Sequence, residues 1–356
     1  MATHGDVRAN EITHGRGEAR RMAIVRVVHR FANADANVNA GSARRFRERR
    51  GRGVTSNAKD DDDDDGDDRG DGKGEYTLRT PTTPTRFKVP EGRALDVARA
   101  AAAIPLRLTS GLVVHGYVAS AKREDAKDGT YSVFKTRGGY LEERGNVSEF
   151  KRPKKEIKIY QFQGCPFCRK VREAVIGLDL DVTYYPTPRG GPEYRPFVAR
   201  EGGKSQFPYM IDENTGVKMY ESDDIIAYLY ESYGPGKDAI SGFLTSPITP
   251  LAAGLSSLAR AGKGSMYRPS KKPENMKPIT FWAYEASPFC VLVAEVLNEL
   301  ELPYKQRSCG RGSPKRQELF DKRGMFQVPY IEDPNTGIAM FESADIIQYL
   351  EETYAA

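Results

Sequence analysis

The sequence predicts an α/β protein built from two tandem βαβαββα domains, each with a mixed four-stranded sheet, behind a polar N-terminal tail. Two alignments of the chain with itself carry this prediction. Residues 207–233 and 328–354 align without gaps at an offset of 121, with 16 identities in 27 positions. Residues 157–168 align with 279–290 at an offset of 122. A repeat of this length indicates tandem globular domains rather than a solenoid.

The elements of the first copy follow from its hydrophobic pattern and turn residues. In order, they are a strand at 157–162, a helix to about 176, a strand at 182–185, a helix around 193–200, a strand at 207–211, a turn at 213–216, a strand at 217–220, and a helix to Tyr233 that Ser222 caps. A parallel βαβ pair followed by a hairpin predicts a mixed sheet with helices on both faces.

The remaining chain divides around these two copies. The predicted segments are a disordered tail at 1–75, an adaptor at 85–150, the first domain at 155–234, a linker at 235–276 and the second domain at 277–354. In the adaptor, an Ala-rich stretch from 94 to 106 favours a helix, and residues 112–118 favour a strand or buried run.

The tail combines two opposite charge patterns. Asp60 to Asp65 form an unbroken acidic run, which repels itself and stays solvated. From Met22 to Lys59, nine Arg or Lys residues face two acidic ones, a composition typical of an organelle transit peptide. This predicts the chloroplast stroma as location, with the mitochondrion second. A basic tail without an address is the alternative, and both Met1 and Met22 stay open as the start.

Composition excludes several classes of protein. The 54 basic and 49 acidic residues leave a net charge of only +5, so a global basic surface for nucleic acid is not expected. Uncharged runs fall short of the roughly 18 apolar residues of a membrane span. All four histidines precede residue 150, so the repeated domains have no histidine for a metal site, and none is predicted.

Cys165 and Cys168 form a C-x-x-C pair at a strand-to-helix junction. Cys165 precedes Pro166, which suits a first helical position, and a sulfur there meets free backbone N–H groups that favour a thiolate. Cys168, one turn along, lies close enough to attack a mixed disulfide on Cys165. Three basic residues on the same helix are expected to add positive potential: Arg169, Lys170 and Arg172.

This arrangement suits thiol–disulfide exchange. Half of a zinc site is a weaker interpretation, because zinc needs four ligands and the chain has no second C-x-x-C. Two buried, inert cysteines are the remaining alternative.

Three motifs, Gly-Cys-Pro-Phe-Cys-Arg-Lys-Val-Arg at 164–172, Phe-Pro-Tyr at 207–209 and Glu-Ser-Asp-Asp at 221–224, together resemble a known domain. It is the thioredoxin-fold, glutaredoxin-like domain shared by glutaredoxins and the N-terminal domains of glutathione S-transferases. The tandem form, over residues 85–356, is similar to plant and green-algal plastid proteins with two such domains.

The resemblance implies a glutathione site in each copy. Pro208 and Pro329 would be cis, and the backbone of Phe207 or Val328 would pair with the cysteinyl part of glutathione. Further residues at the start of the last helix would hold the γ-glutamyl end, namely Glu221, Ser222 and Asp223 in the first copy and Glu342 and Ser343 in the second. A plain helix cap at Ser222 and a solvated carboxylate at Glu221 are the alternatives.

The second copy departs from the motif at its reactive position. Ser287 replaces the first cysteine, and Cys290 then lies inside the helix without the field of its N-terminus. Ser287 would either stabilise a bound glutathione thiolate, as in the serine classes of glutathione transferase that it resembles, or only cap a helix. Cys309 has basic neighbours that could make it reactive, although such a cysteine is more often a bystander.

These residues predict a glutathione-linked thiol–disulfide oxidoreductase of glutaredoxin type, acting on disulfide or glutathionylated proteins. Cys165 would be the nucleophile and Cys168 the resolving thiol. One alternative is a non-catalytic, thiol-regulated protein that binds a partner through the groove beside Pro208 and Pro329. Another is a Fe–S-bridged dimer that uses Cys165 and external glutathione. Glutathione transferase activity is disfavoured, because the linker leaves no room for the helical domain that follows in those enzymes.

Overall fold

The computed structural model describes residues 76–78, 89, 92–102, 105, 107, 110–246 and 248–356. The expectations for the tail, namely its disorder, its acidic run, the transit peptide and the start residue, fall on residues outside this part. In the described ranges, no helix has the length and apolar character that crossing a bilayer would require.

The adaptor contributes short elements that precede the repeated domains. They are β1 (Thr77–Leu78), α1 (Ala94–Ala101), β2 (Val118–Lys122), β3 (Lys135–Thr136) and β4 (Gly139–Arg144). β2, β4 and β3 form a small antiparallel sheet. α1 ends before the predicted boundary at 106. The predicted strand at 112–118 is reduced to a single bridge at Val113, and β2 begins at Val118.

The two repeated domains have the predicted βαβαββα order, which is confirmed. The first comprises β5 (Ile157–Gln161), α2 (Pro166–Gly177), β6 (Val182–Pro186), α3 (Tyr194–Gly202), β7 (Tyr209–Asp212), β8 (Val217–Met219) and α4 (Ser222–Tyr233). The second comprises β9 (Ile279–Ala283), α7 (Pro288–Glu299), β10 (Tyr304–Ser308), α8 (Lys315–Arg323), β11 (Tyr330–Asp333), β12 (Ile338–Phe341) and α9 (Ser343–Tyr354). Between them lie α5 (Gly242–Thr245) and α6 (Ile248–Leu258). The segment predicted as a linker therefore contains ordered helices.

In each domain, the first two strands are parallel, and the hairpin adds two antiparallel strands beside the first strand. The two sheets do not stand apart, because the edge strands β6 and β10 pair antiparallel through Tyr184 and Tyr304. With β1 added parallel to β12, the described residues form a continuous nine-stranded sheet. This pairing provides hydrogen bonds for backbone N–H and C=O groups that would be unpaired at the edge of an isolated domain.

An aspartate and two tyrosines at equivalent positions form the same hydrogen bonds in both copies. Asp212 Oδ2 accepts hydrogen bonds at 2.6 Å from the hydroxyls of Tyr228 and Tyr233. Asp333 accepts the same pair from Tyr349 at 2.7 Å and Tyr354 at 2.6 Å. Each aspartate thereby ties the hairpin turn to the last helix of its domain.

The structure also shows a second repeat, which lies before each domain and which the sequence analysis missed. α1 packs on α7 of the second domain, and α6 packs on α2 of the first. An arginine follows each helix along the chain. It forms a buried bidentate ion pair with the domain on which that helix does not pack. Arg107 binds Glu173 on α2 at 2.8 and 2.5 Å, and Arg260 binds Glu295 on α7 at 2.7 Å through both oxygens.

A glycine four residues after each arginine completes this second repeat. Gly111 and Gly264 have φ angles of +74° and +73°, a region that favours glycine. A Cβ on Gly111 would lie 2.9 Å from Glu285 Cβ, and one on Gly264 would lie 2.5 Å from Gln163 Cβ. Glu285 and Gln163 are equivalent positions in the two copies. The unit that repeats is therefore a helix, an Arg–Gly segment and a βαβαββα domain.

We predict that Glu173→Gln lowers the free energy of unfolding by about 3 kcal/mol, because it leaves the Arg107 charge buried without its counter-ion. Both side chains are almost fully buried, at 1% and 0% exposure. Denaturant unfolding measures the loss. Glu213→Gln is the control, since Glu213 pairs with Lys158 at a half-exposed surface site and is expected to cost less than about 1 kcal/mol. Equal effects would contradict the role of the buried pair.

Candidate functional site

Cys165 occupies the N-cap position of α2, as the sequence predicts. Its φ and ψ of −77° and 122° are extended, Pro166 is the first helical residue, and the sulfur accepts a hydrogen bond from the Cys168 backbone N–H at 3.2 Å. The sulfur lies 4.0 Å from the carbonyl oxygen of Phe207. The peptide bonds Phe207–Pro208 and Val328–Pro329 are both cis, which confirms that expectation.

The two thiols differ in acidity. The Cys168 side chain donates a hydrogen bond to the Cys165 sulfur and outweighs burial, so that the pKa of Cys165 is lowered. The backbone N–H groups of Cys168 and Phe167 and the charge of Arg172 act in the same direction. Burial and the neighbouring Cys165 raise the pKa of Cys168 well above its ordinary value. Cys165 therefore carries the more acidic thiol of the pair.

The positive charges expected on α2 are largely neutralised, which corrects the sequence prediction. Arg172 forms a bidentate pair with Glu285 at 2.9 and 3.0 Å. Arg169 pairs with Glu173 at 3.3 Å, and Lys170 pairs with Asp223. The charge of Arg172 still lowers the pKa of Cys165.

The start of α4 differs from the prediction. The N-cap residue is Glu221, with a φ of +62°, and Ser222 is already the first residue of the helix. No side chain caps this helix, so the predicted cap at Ser222 is wrong. Glu221 Oε1 accepts a hydrogen bond from Gln206 Nε2 at 2.6 Å, and Asp223 is engaged with Lys170.

Arg195 is a site residue that the sequence analysis missed. Its Nε donates to the carbonyls of Thr187 and Pro188 at 2.9 and 2.8 Å. Its guanidinium carbon lies 4.7 Å from the ring centroid of Phe207 and 5.5 Å from that of Phe162. Burial lowers the pKa of Arg195, and the charges of Cys168 and Cys165 oppose this lowering. The repeat held a signal for it, since Arg195 aligns with Arg316 at an offset of 121.

The second domain has the same backbone geometry with a different N-cap. Ser287 accepts a hydrogen bond from the Cys290 N–H at 3.3 Å, so it caps α7. Burial raises the pKa of Cys290 to about 12. Glu342, with a φ of +71°, precedes Ser343 and accepts a hydrogen bond from Gln327 at 2.7 Å, matching Glu221 and Gln206.

Cys309 is buried, and burial raises the pKa of its thiol far above the ordinary value, so its basic neighbours do not activate it. Across the ranges that the structure describes, no three His, Cys, Asp or Glu side chains converge as they would around a metal ion.

The match to a protein family agrees with this fold. The family described as glutathione S-transferase, N-terminal domain, matches residues 159–237 and 281–356. Both copies are glutathione S-transferase N-terminal domains. Each match begins within the first strand of its domain and includes the helix-capping Cys165 or Ser287, the cis-proline and the last helix.

Two curated relatives of the chain are fungal. A glutathione S-transferase-like protein of Beauveria bassiana is 35% identical over 80 residues, which cover 22% of this chain and 37% of that protein. Another from Aspergillus terreus is 35% identical over 77 residues, covering 22% and 34%. The chain thus spans about a third of the length of these relatives. A Bombyx mori glutathione transferase structure is 17% identical, covers 42% of this chain and 81% of its own, and has a TM-score of 0.23.

We predict that alkylation separates the four cysteines by pH. The pKa of Cys165 is lowered, so its thiolate and its reactivity persist below the pH at which an ordinary thiol protonates. The pKa values of Cys168, Cys290 and Cys309 are raised, so these thiols stay protonated there. Peptide mass analysis after iodoacetamide treatment from pH 5 to 8 should find Cys165 labelled first. Faster labelling of Cys290 would reverse the assignment of the active copy.

Proposed function

We propose that the protein is a glutathione-linked thiol–disulfide oxidoreductase whose chemistry resides in the first glutathione S-transferase N-terminal domain. The observation that carries the proposal is Cys165 at the N-cap of α2, with a lowered pKa, beside cis-Pro208. Thiolate character at a helix N-terminus is the property that disulfide exchange requires.

Removal of glutathione from a protein needs Cys165 alone. Its thiolate attacks the glutathionyl sulfur of the mixed disulfide, the substrate sulfur leaves as a thiolate and takes up a proton, and glutathione remains bound to Cys165. The thiolate of a second glutathione then attacks the glutathionyl sulfur, which releases glutathione disulfide and restores the Cys165 thiolate. The second glutathione is thereby oxidised, the glutathionyl group of the substrate passes into glutathione disulfide without a change of oxidation state, and the substrate sulfur is reduced to a thiol.

Reduction of a disulfide within a protein uses both cysteines. Cys165 attacks one substrate sulfur and forms a mixed disulfide, while the substrate disulfide breaks and its other sulfur leaves as a thiolate that takes up a proton. Cys168 then attacks the Cys165 sulfur, its proton goes to the departing substrate thiolate, and a Cys165–Cys168 disulfide forms. Because the pKa of Cys168 is raised, its thiol must give up a proton for this attack. Two glutathiones reduce the enzyme disulfide and leave as glutathione disulfide.

Charges around the first domain's site match the ends of glutathione, which carries an amino group and two carboxylates. Glu221 presents a carboxylate at the start of α4, whose free N–H groups suit the γ-glutamyl carboxylate. Arg195 places a cation beside Phe207, the residue before the cis-proline, and suits the carboxylate at the other end. The sulfur of Cys165 lies 4.0 Å from the Phe207 carbonyl oxygen.

Transfer of glutathione to an apolar electrophile is a second candidate. The names of the fungal relatives support it. So does Phe167, an apolar side chain next to Cys165 that is 47% exposed. In that case the glutathione sulfur, rather than Cys165, would be the nucleophile. Activity toward an electrophile that survives Cys165→Ser would favour this candidate.

We predict that Cys165→Ser abolishes glutathione-dependent reduction of a small glutathione mixed disulfide. Cys168→Ser should retain most of it, because that route needs one thiol. With a protein disulfide as substrate, both variants should lose activity. Coupled assays with glutathione reductase measure both reactions, and Cys309→Ser is the matched control, since Cys309 lies outside the site. Equal loss in Cys165→Ser and Cys168→Ser on the small substrate would contradict the assignment.

A further inference from the structure

The equivalent arginines of the two domains have different surroundings. Arg195 and Arg316 are each the second residue of their helix, α3 and α8, and each donates through Nε to two successive carbonyls. Arg195 is half-buried, and among the described residues no acceptor binds its terminal nitrogens. Arg316 is 5% exposed, and its Nη1 donates to the hydroxyl of Tyr131 at 2.8 Å.

Tyr131 comes from the adaptor, in the loop between β2 and β3, and lies against the second domain. Its ring centroid is 4.9 Å from that of Phe326, and the Arg316 guanidinium lies over both rings. Tyr131 packs on the same apolar cluster as Val328, the residue before cis-Pro329. It therefore occupies the side of the second domain where the first domain has Arg195 beside Phe207.

The loop that carries Tyr131 is fixed to α8. Gln317 accepts a hydrogen bond from the Tyr131 backbone N–H at 2.7 Å and donates one to the Gly129 carbonyl at 2.7 Å. The adaptor sheet behind this loop is held by the ion pair between Glu143 and Arg311 at 2.6 Å. Among the described residues, no loop reaches Arg195 of the first domain in this way, and the hydrogen bonds of Arg195 are those to Thr187 and Pro188.

We propose that residues 129–131 are an intramolecular ligand of the second domain. Tyr131 fills the groove that glutathione would enter and takes the hydrogen bond of Arg316 that a ligand carboxylate would take, so the chain binds glutathione in its first domain alone. The inference rests on the proposed function for the identity of the ligand. The occupation of the groove stands on the contacts of Tyr131 themselves.

Calorimetric titration of the full chain with glutathione tests the proposal. We expect one glutathione per chain in the wild type and two in Tyr131→Ala. Gln317→Ala should also bind two, and it keeps the aromatic cluster intact, so it guards against loss of folding in Tyr131→Ala. Tyr140→Ala, on β4 of the same adaptor, is the control and should bind one. Two sites in the wild type, or one site in both Tyr131→Ala and Gln317→Ala, would overturn the proposal.

Amide hydrogen exchange separates failure of this proposal from failure of the proposed function. The Tyr131 amide should exchange slowly in the wild type and faster in Gln317→Ala, whether or not glutathione is present. Absence of any glutathione binding together with a protected loop would remove the proposed function and leave the occupied groove. Fast exchange at Tyr131 in the wild type would show that the loop does not occupy it.

Discussion

The bidentate ion pair between Arg172 and Glu285 joins α2 of the first domain, which begins after Cys165, to the loop that leads into Ser287 of the second. Both side chains are buried, and a buried charge without a counter-ion would cost several kcal/mol. The two domains must therefore meet in one register, which the pairing of β6 with β10 extends into a continuous sheet. Because the Arg172 charge also lowers the pKa of Cys165, the second domain holds in place a group that acts on the Cys165 thiol.

The two copies have diverged in complementary ways. The first keeps a cysteine at its helix N-cap and an arginine, Arg195, whose terminal nitrogens meet no acceptor within the described ranges. The second has Ser287 at the cap, a Cys290 thiol whose pKa burial raises to about 12, and an arginine bound to Tyr131. Loss of the reactive thiol in the second copy thus accompanies occupation of its groove. These differences suit a chain in which one copy carries the chemistry and the other stabilises it.

The order of strands and helices could be predicted from the sequence, because the repeated residues are those that form turns and tie them to helices, as Asp212 and Asp333 do. The pairing of the two sheets could not be predicted, because the residue pattern of an edge strand does not identify the strand with which it pairs. The Arg–Gly segments share only two identical residues, which are too few to align from the sequence.

At α4, the positive φ of Glu221 moves the N-cap one residue ahead of Ser222, which a capping pattern read from residue types does not reveal. The position of Cys165 was predictable because Pro166 marks the start of its helix.

Intact mass measurement after incubation with glutathione disulfide tests the central claim most directly, namely that Cys165 is the one thiol of this chain that exchanges with glutathione. In a Cys168→Ser background, the second thiol cannot displace glutathione from Cys165. We therefore expect one glutathionyl group per chain at neutral pH, located on Cys165 by peptide mapping. A chain without the group, or one that carries it on Cys290 or Cys309, would contradict the account.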